Sequence, residues 1–342
     1  MYCPIPSAIH PRTEAIERDA IAWADGVALP TGPGERGRIV ASRSAEWFSR
    51  LTPDAVEERL RLAVRWTYWG FHFDDVHCDS ADASRRPADF LRRAGYLLHM
   101  LEHPGQDAGT GDVFTTALHG IARDMIRLGA TDTQMRRFSE GHRAWFLAVA
   151  WQMANFRQGI IPSVDDYLLN RQHTIGGGPV VAVFDFVHAQ ELTDGDFHDP
   201  AVKALTEMMF FIGGLDNDLQ SLAKEARAAE QDQTITTVLM RQDHIDHAEA
   251  LRRAVALRDR VTLRFLRLRD RVRARAGDEL RQYLDCLAHT VRGTLDWGAS
   301  APRYTAHATT RRAARFAERP SDSGDEPLPY TVARGWWAPA LG

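Results

Sequence analysis

Apolar residues recur every three or four positions along most of this chain, which is the spacing of one face of an α-helix. One example is formed by Leu257, Val261, Phe265, Leu268 and Val272, with mainly arginine and aspartate on the opposite face. No stretch alternates apolar and polar residues between turn signals, as a half-buried β-strand would. The pattern therefore predicts an all-α protein.

The same periodicity marks several further segments, which are separated by turn-forming sequences such as Pro-Gly and Gly-Thr-Gly. It predicts a bundle of roughly ten helices, including helices over about 54–73, 87–102, 113–128, 133–157, 202–225 and 278–297. Because the chain has no internal repeat and no central linker, we expect one domain over residues 1–304. Residues 305–342 have few regular apolar positions and are expected to form a partly flexible C-terminal tail.

The composition is that of an ordinary globular protein. Hydrophobic residues make up 44% and charged residues 26% of the 342 residues, which excludes a disordered or fibrous chain. The 42 Lys and Arg residues nearly balance 46 Asp and Glu residues, for a net charge of -4. No overall field would therefore steer the protein to nucleic acid or to an anionic membrane.

Compartment and assembly can also be predicted. The longest apolar window, 144–154, is too short to span a bilayer, and no secretory signal is expected at the N-terminus. The three cysteines, Cys3, Cys78 and Cys286, are far apart and odd in number, so neither a disulfide framework nor a repeated zinc pattern is predicted. A cytoplasmic location is expected, and a homodimer is left open.

Three aspartates follow an aromatic helical segment. In Phe71-His-Phe-Asp-Asp-Val-His-Cys-Asp79, Asp74 and Asp75 stand where the partial negative charge of a helix C-terminus would make them unfavourable. Mg²⁺ would compensate this charge, since it takes one or two carboxylates, water and substrate phosphates. A solvated helix end is the simpler alternative. A zinc site is a weaker one, because no second His/Cys cluster is present.

Oxygen-bearing side chains recur four positions apart in a second segment. Asn217, Ser221 and Glu225 lie on one helix face, because four residues advance only 40° past a full turn. Amide, hydroxyl and carboxylate oxygens in such a row suit Mg²⁺ better than zinc or copper. Taken alone, an exposed polar stripe is at least as good an interpretation.

Together the two segments resemble the Asp-rich motif and the Asn/Ser/Glu triad of class I terpene synthases, specifically the bacterial terpene cyclases. The matching residues are Asp74-Asp75-x-x-x-Asp79 and Asn217-Asp-Leu-x-Ser221-x-x-x-Glu225, with Lys224 just before the glutamate. The resemblance implies a single-domain helical bundle around a central cavity, with three Mg²⁺ ions holding a substrate diphosphate. The implied direct ligands are Asp74, Asn217, Ser221 and Glu225, with Asp75 and Asp79 behind them in the metal site.

Further elements extend the resemblance over about residues 4–304. The family carries a diphosphate-sensing arginine 46 positions before the triad asparagine, where this chain has Arg171 (217 − 171 = 46). The following Gly176-Gly-Gly-Pro179 predicts a local helix break that frees backbone carbonyls, and the resemblance assigns an effector carbonyl to Thr174 and Ile175. The implied further diphosphate contacts are Lys224, Arg303 and Tyr304.

A dry, apolar pocket is expected beneath the metals, because water would quench a carbocation to an alcohol. Aromatic faces can stabilise such a cation, and the candidates are Phe71, Phe210 and Trp297. Gly70 and Gly213 each stand four residues before an expected metal ligand, where a helix glycine suggests either space or close packing. Space would favour geranylgeranyl diphosphate over farnesyl diphosphate, and close packing is an equally weighted alternative.

The expected function is that of a Mg²⁺-dependent terpene cyclase, which ionises a linear polyprenyl diphosphate, cyclises the allylic cation and releases diphosphate. The triad replaces the second Asp-rich motif of chain-elongating prenyl synthases, and the Asp-x-Asp-Asp motif of protonation-initiated cyclases is absent. The alternative is a non-catalytic helical binding module. Its basic segment 252–275 would bind acidic partners or nucleic acid, although Asp259 and Asp270 interrupt that segment.

Overall fold

The structure of the protein, a computed structural model, describes residues 1–32, 34–107, 109, 111–225, 233–305 and 316–337, except the side chains of residues 81, 222–225 and 305. In chain order its α-helices are α1 Thr13–Gly26, α2 Glu35–Ala41, α3 Ser44–Leu51, α4 Glu57–Phe73, α5 Ala81–Ser84, α6 Pro87–Glu102, α7 Val113–Arg127, α8 Asp132–Gln158, α9 Val164–Thr174, α10 Gly177–Val181, α11 Phe184–Val187, α12 Asp194–Phe197, α13 Pro200–Glu225, α14 Ile235–Asp243, α15 His247–Arg273, α16 Asp278–Ser300 and α17 Pro302–Thr305. A π-helical turn spans Asp74–Cys78, and a 3-10 turn spans Thr331–Ala333. The described residues contain no β-strand, so the all-α prediction is confirmed.

The six helices whose limits were predicted, α4, α6, α7, α8, α13 and α16, begin and end within three residues of those limits, because local signals mark their termini. At the start of α8, the side chain of Thr131 accepts from the Gln134 amide and the Gln134 side chain accepts from the Thr131 amide, which forms a capping box. The same helix ends at Gly159, whose φ of 66° lies in the left-handed region that glycine adopts readily. Apolar periodicity did not predict the four- and five-residue helices, which are too short to show it.

Helix α4 lies in the middle of the bundle, since it is buried on most of its sides. Trp66, Tyr68, Trp69 and Phe73 are all at most 5% exposed, as expected for a helix that is apolar nearly all round. It packs against α1, α3 and α7. The motif aspartates that follow α4 are thereby held at the centre of the molecule.

The described part of the C-terminal segment, residues 316–337, packs against the helical body. Trp336 is fully buried, its indole nitrogen donates to Glu207 at 2.9 Å, and its ring meets Phe211 of α13 edge-on. Near the other end of the segment, Ala317 pairs with Tyr2 in an isolated β-bridge. The boundary at residue 304 remains a prediction.

Two expectations from composition concern membranes and disulfides. None of the helices in the described part of the chain is long and apolar enough to cross a membrane. The three cysteines, Cys3, Cys78 and Cys286, are buried and free.

Candidate active site

The aspartate-rich segment forms the π-helical turn at the end of α4. The amide of Asp79 donates to the carbonyl of Asp74 at 2.9 Å, five residues back, which is the wider π-helical pattern often found at functional sites. Asp74 lines a large cavity. Desolvation, followed by the charges of Asp79 and Asp75, raises the pKa of Asp74. The turn thus brings three carboxyl groups close together, two of which, those of Asp74 and Asp79, line the cavity.

The short helix α17 connects this turn to α13. Arg303 donates from Nη1 to Asp75 Oδ2 at 2.6 Å, and its guanidinium lies 5.7 Å from the centre of the Phe71 ring. The hydroxyl of the next residue, Tyr304, accepts from Asn217 Nδ2 at 2.9 Å. The predicted Arg-Tyr pair therefore contacts both the aspartate-rich turn and the triad asparagine, which are far apart in the sequence.

Arg171 of α9 also reaches the triad. Its Nη2 donates to Asn217 Oδ1 at 2.7 Å, and its Nη1 lies 3.3 Å from the Thr174 hydroxyl. Its Nε donates to Asp218 Oδ1 at 3.0 Å. The spacing of 46 residues thus corresponds to direct contact between the predicted arginine and the predicted asparagine.

Asp218 and Tyr167 are two buried site residues that the sequence interpretation did not single out. The Tyr167 hydroxyl donates to Asp218 Oδ2, and that oxygen also accepts from the amide of Ile235 at 2.8 Å. One carboxylate therefore connects α9, α13 and the start of α14. A sequence signal was present, because Tyr167 stands four residues before Arg171 on the same helix face and Asp218 follows the triad asparagine.

The rest of the triad is described in part. Ser221 is 3% exposed and lines the cavity one turn beyond Asn217. Helix α13 continues to Glu225, but the side chains of Lys224 and Glu225 lie outside the described residues.

The glycine run after Arg171 separates α9 from α10 as predicted. Gly176 has a φ of 72°, in the left-handed region. A Cβ on Gly177 would lie 2.3 Å from Phe210 Cδ1, and the same atom on Gly178 would lie 3.0 Å from the Gly141 Cα. Only glycine permits these close approaches, so the packing of Gly177 and Gly178 against neighbouring residues requires glycine at the helix break. Thr174 and Ile175, on its N-terminal side, line the cavity.

The cavity has a volume of about 780 Å³ and contains most of the predicted site. Its wall is rich in aromatic residues, and those on the helices are Trp47, Trp66, Phe71, Trp145, Phe156, Tyr167 and Tyr304. Gly70 also lines it, and a Cβ there would be 3.9 Å from Trp66 Cζ2. A small side chain at Gly70 would therefore fit against Trp66 without a clash.

Three of the expected pocket residues are not among the described residues that line this cavity. Phe210 packs behind the helix break against Gly177. Trp297 stacks on Phe71, with ring centres 5.5 Å apart, and donates from Nε1 to the Ser42 carbonyl at 2.9 Å. Gly213 has open space around its Cβ position, but that space is not part of the cavity wall.

Comparison with known proteins places this site in a family. Residues 65–262 match the family model described as terpene synthase family 2, C-terminal metal binding. The chain is 39% identical to spiroviolene synthase of Streptomyces violens, over 100% of the chain and 96% of that protein. It is 33% identical to (+)-T-muurolol synthase ((2E,6E)-farnesyl diphosphate cyclizing) of Streptomyces clavuligerus, over 98% of the chain and 81% of that protein.

A solved crystal structure has the same fold as this chain. The crystal structure of SVS_A2, a protein from ancestral sequence reconstruction, is 42% identical, with a TM-score of 0.89 over 98% of this chain and 97% of that one. The helical fold and the cavity define a class I terpene synthase. The chain belongs to terpene synthase family 2, and it is an enzyme of the lyase class that acts on prenyl diphosphates. The predicted resemblance is confirmed.

Proposed function

We propose that this protein binds a linear polyprenyl diphosphate together with Mg²⁺, ionises it and cyclises the allylic cation, releasing diphosphate. One observation carries the proposal. Asp74 on one wall and Asn217 and Ser221 on another line the same cavity as Arg171 and Arg303. Acidic and amide oxygens thus lie directly beside guanidinium groups in the wall of a cavity of about 780 Å³.

The residues fit Mg²⁺, and three ions are proposed. The described part of the chain has no cluster of three or more His, Cys, Asp or Glu residues that could hold a metal unaided. Mg²⁺ does not need one, since it completes its shell with water and substrate phosphates. A cation beside Asp74 would offset the desolvation and the neighbouring aspartate charges that raise the pKa of this carboxyl. The proposed metal-site residues are Asp74, Asp75, Asp79, Asn217, Ser221 and Glu225. When bound, Mg²⁺ would stabilise the charge that develops on the departing diphosphate.

The cationic side chains would hold the diphosphate in place. Arg171 and Arg303 each offer a planar fork of donors, which matches phosphate oxygens in geometry. In this state Arg303 pairs with Asp75, and Arg171 pairs with Asp218, so both forks are already oriented at the cavity wall. Lys224 and Tyr304 would add donors. Thr174 and Ile175, beside the break, would supply the effector carbonyl.

The remainder of the cavity would guide the cation. Aromatic faces that line it can each stabilise a desolvated cation by about 1–2 kcal/mol, and Phe71 is the proposed aromatic nearest the aspartate turn. Trp297 would act through Phe71, because it stacks on that ring and is not among the described residues that line the cavity. Exclusion of water from this part would protect the cation from quenching.

Geranylgeranyl diphosphate is proposed as the preferred substrate, with farnesyl diphosphate as the second candidate. Gly70 lines the cavity and projects no side chain into it, which supports the longer chain. The farnesyl alternative has support from T-muurolol synthase, which is named as cyclising farnesyl diphosphate.

The decisive experiment is product analysis. Purified protein is incubated with Mg²⁺ and, separately, with C10, C15, C20 and C25 diphosphates, and volatiles are identified by gas chromatography and mass spectrometry. We expect a cyclic terpene from the C20 substrate and none after chelation of the metal. Absence of any terpene from all four substrates would refute the proposal.

The binding-module alternative loses its main support in the fold. The arginines of the basic segment form ion pairs within the chain, including Arg258 with Asp216, Arg260 with Asp322, Arg267 with Asp325 and Arg273 with Asp285. Much of the positive charge on this helix is therefore already compensated. A salt-dependent pull-down of nucleic acid, without terpene formation, would favour this alternative.

A further inference from the structure

The indole of Trp66 forms part of the cavity wall and is tethered from behind. It is 5% exposed, and its Nε1 donates to Nε2 of His142 at 3.0 Å. His142 belongs to α8 and is completely buried. The bond therefore joins a cavity residue of α4 to a residue that substrate cannot reach.

The tautomer of His142 follows from its two partners. Tryptophan can only donate, so Nε2 must be the accepting nitrogen. The other nitrogen, Nδ1, carries the proton and donates to the Phe138 carbonyl at 2.8 Å. Burial lowers the pKa of His142 to about 4, which keeps the ring neutral and able to accept at physiological pH.

Aromatic rings surround His142 and leave it little freedom to turn. Its ring centre lies 4.5 Å from Phe138, 5.7 Å from Trp66 and 5.8 Å from Phe146, all at steep angles. A side chain packed in this way keeps one rotamer. Trp66 is consequently anchored to a fixed point.

We propose that His142 is a positioning residue that controls product selectivity by fixing the plane of the Trp66 indole in the cavity wall. The inference rests on the proposed cyclase function. Gly70 and Trp66 line the same cavity, and Gly70 has no side chain to hold the indole, since even a Cβ there would lie 3.9 Å from Trp66 Cζ2, so an untethered indole could tilt within the cavity. Such a tilt would change the aromatic face and the cavity shape that the cation meets, and cation–π attraction depends on both distance and orientation.

Four variants test this tether. Trp66→Phe removes the donor and His142→Phe removes the acceptor, while each keeps an aromatic ring. In His142→Gln the amide oxygen can occupy the Nε2 position. In His142→Asn the shorter amide can keep the bond to Phe138 without reaching Trp66. The readouts are the ratio of main product to side products, kcat, and the melting temperature.

We expect His142→Phe, His142→Asn and Trp66→Phe to shift the product ratio by about fivefold, as the loss of one hydrogen bond would. His142→Gln should keep the ratio close to wild type. The double variant Trp66→Phe/His142→Phe should shift it no further than either single change. Trp336→Phe is the matched control, because it loses a buried indole bond of 2.9 Å to Glu207 away from both the cavity and His142. It should lower the melting temperature and leave the ratio unchanged.

Two results would overturn the proposal: an unchanged ratio in His142→Asn, or independent, multiplying shifts in the double variant. If His142→Phe fails to fold, the comparison of His142→Gln with His142→Asn decides alone. A failure of the proposed cyclase function can be told apart from a failure of this positioning role, since the wild-type protein would then yield no terpene from any diphosphate.

Discussion

Arg171 and Asn217 are joined by a hydrogen bond of 2.7 Å, from Nη2 to Oδ1, although 46 residues separate them in the chain. The same asparagine donates to the Tyr304 hydroxyl at 2.9 Å. One amide therefore connects the proposed diphosphate sensor with the C-terminal Arg-Tyr pair. Removing this amide, or the arginine, should disturb the proposed metal and diphosphate sites together.

Asn217→Ala should lower turnover by at least about 100-fold, as expected when a preorganised transition-state contact is lost. Circular dichroism should remain native, because only one partly buried amide is removed. Lys203→Ala, at an exposed position of the same helix, is the control and should retain full activity. Near-wild-type turnover of a folded Asn217→Ala protein would show that the metal assignment is wrong.

Arg171→Lys should retain more activity than Arg171→Ala, because a lysine keeps the charge but not the planar fork. We expect a loss of about tenfold for lysine and about 100-fold or more for alanine in kcat/KM. The alanine variant also leaves the buried Asp218 without its arginine partner, so its melting temperature should be lower. Equal kcat/KM values for the two variants would show that the guanidinium group of Arg171 does not bind the diphosphate.

Gly70→Phe should shift substrate preference from the C20 to the C15 diphosphate, because Gly70 lines the cavity and a phenyl ring there would take up part of its volume. Gly213→Leu is the matched comparison, since its side chain would enter open space that is not part of the cavity wall. It should leave the C20/C15 ratio of kcat/KM nearly unchanged. A wild-type enzyme that uses farnesyl but not geranylgeranyl diphosphate would contradict the substrate proposal and leave the cyclase class intact.

Stability should fall as the pH drops from about 6.5 towards 4. The pKa of His142 is lowered by burial to about 4, from an ordinary value of about 6.5. The unfolded state therefore binds more protons than the folded state in this range. The contribution of His142 to the free energy of unfolding is fully present above pH 6.5, and about 3 kcal/mol of it is lost as the pH falls to 4. Urea unfolding of wild type and His142→Gln at pH 4.5 and 7 measures the effect. An equal pH slope in both proteins would show that His142 does not contribute.

Trp336→Ala should destabilise the protein by about 3–5 kcal/mol, the usual cost of emptying a fully buried aromatic site. The indole is 0% exposed and bonds Glu207. Trp337→Ala, next in the chain and only partly buried, should cost less. Urea denaturation of both variants tests whether the C-terminal segment is part of the folded unit. If both variants unfolded at the same urea concentration as the wild-type protein, the segment would not be part of that unit.

Much of the fold could be predicted from the sequence because helix formation is local. Apolar periodicity, a capping box at Thr131 and a left-handed glycine at Gly159 lie within a few residues of the helix ends they define. The one-face ladder of Asn217 and Ser221 follows from helix geometry in the same way, and both residues line the cavity. Family resemblance, rather than local physics, related Arg171 and Arg303 to the two motifs.

Tertiary packing decided which residues near the motifs reach the cavity. Gly70 and Gly213 have the same spacing from a motif residue, yet only Gly70 lines it. Phe210 is turned to the glycine break by its contact with Gly177, and Trp297 stands behind Phe71. Helical phase specifies one face of one helix, whereas the neighbour of that face depends on how separate helices pack. For the same reason the bond between Trp66 and His142, which lie 76 residues apart, has no sequence signal, and only the packing of α4 against α8 creates it.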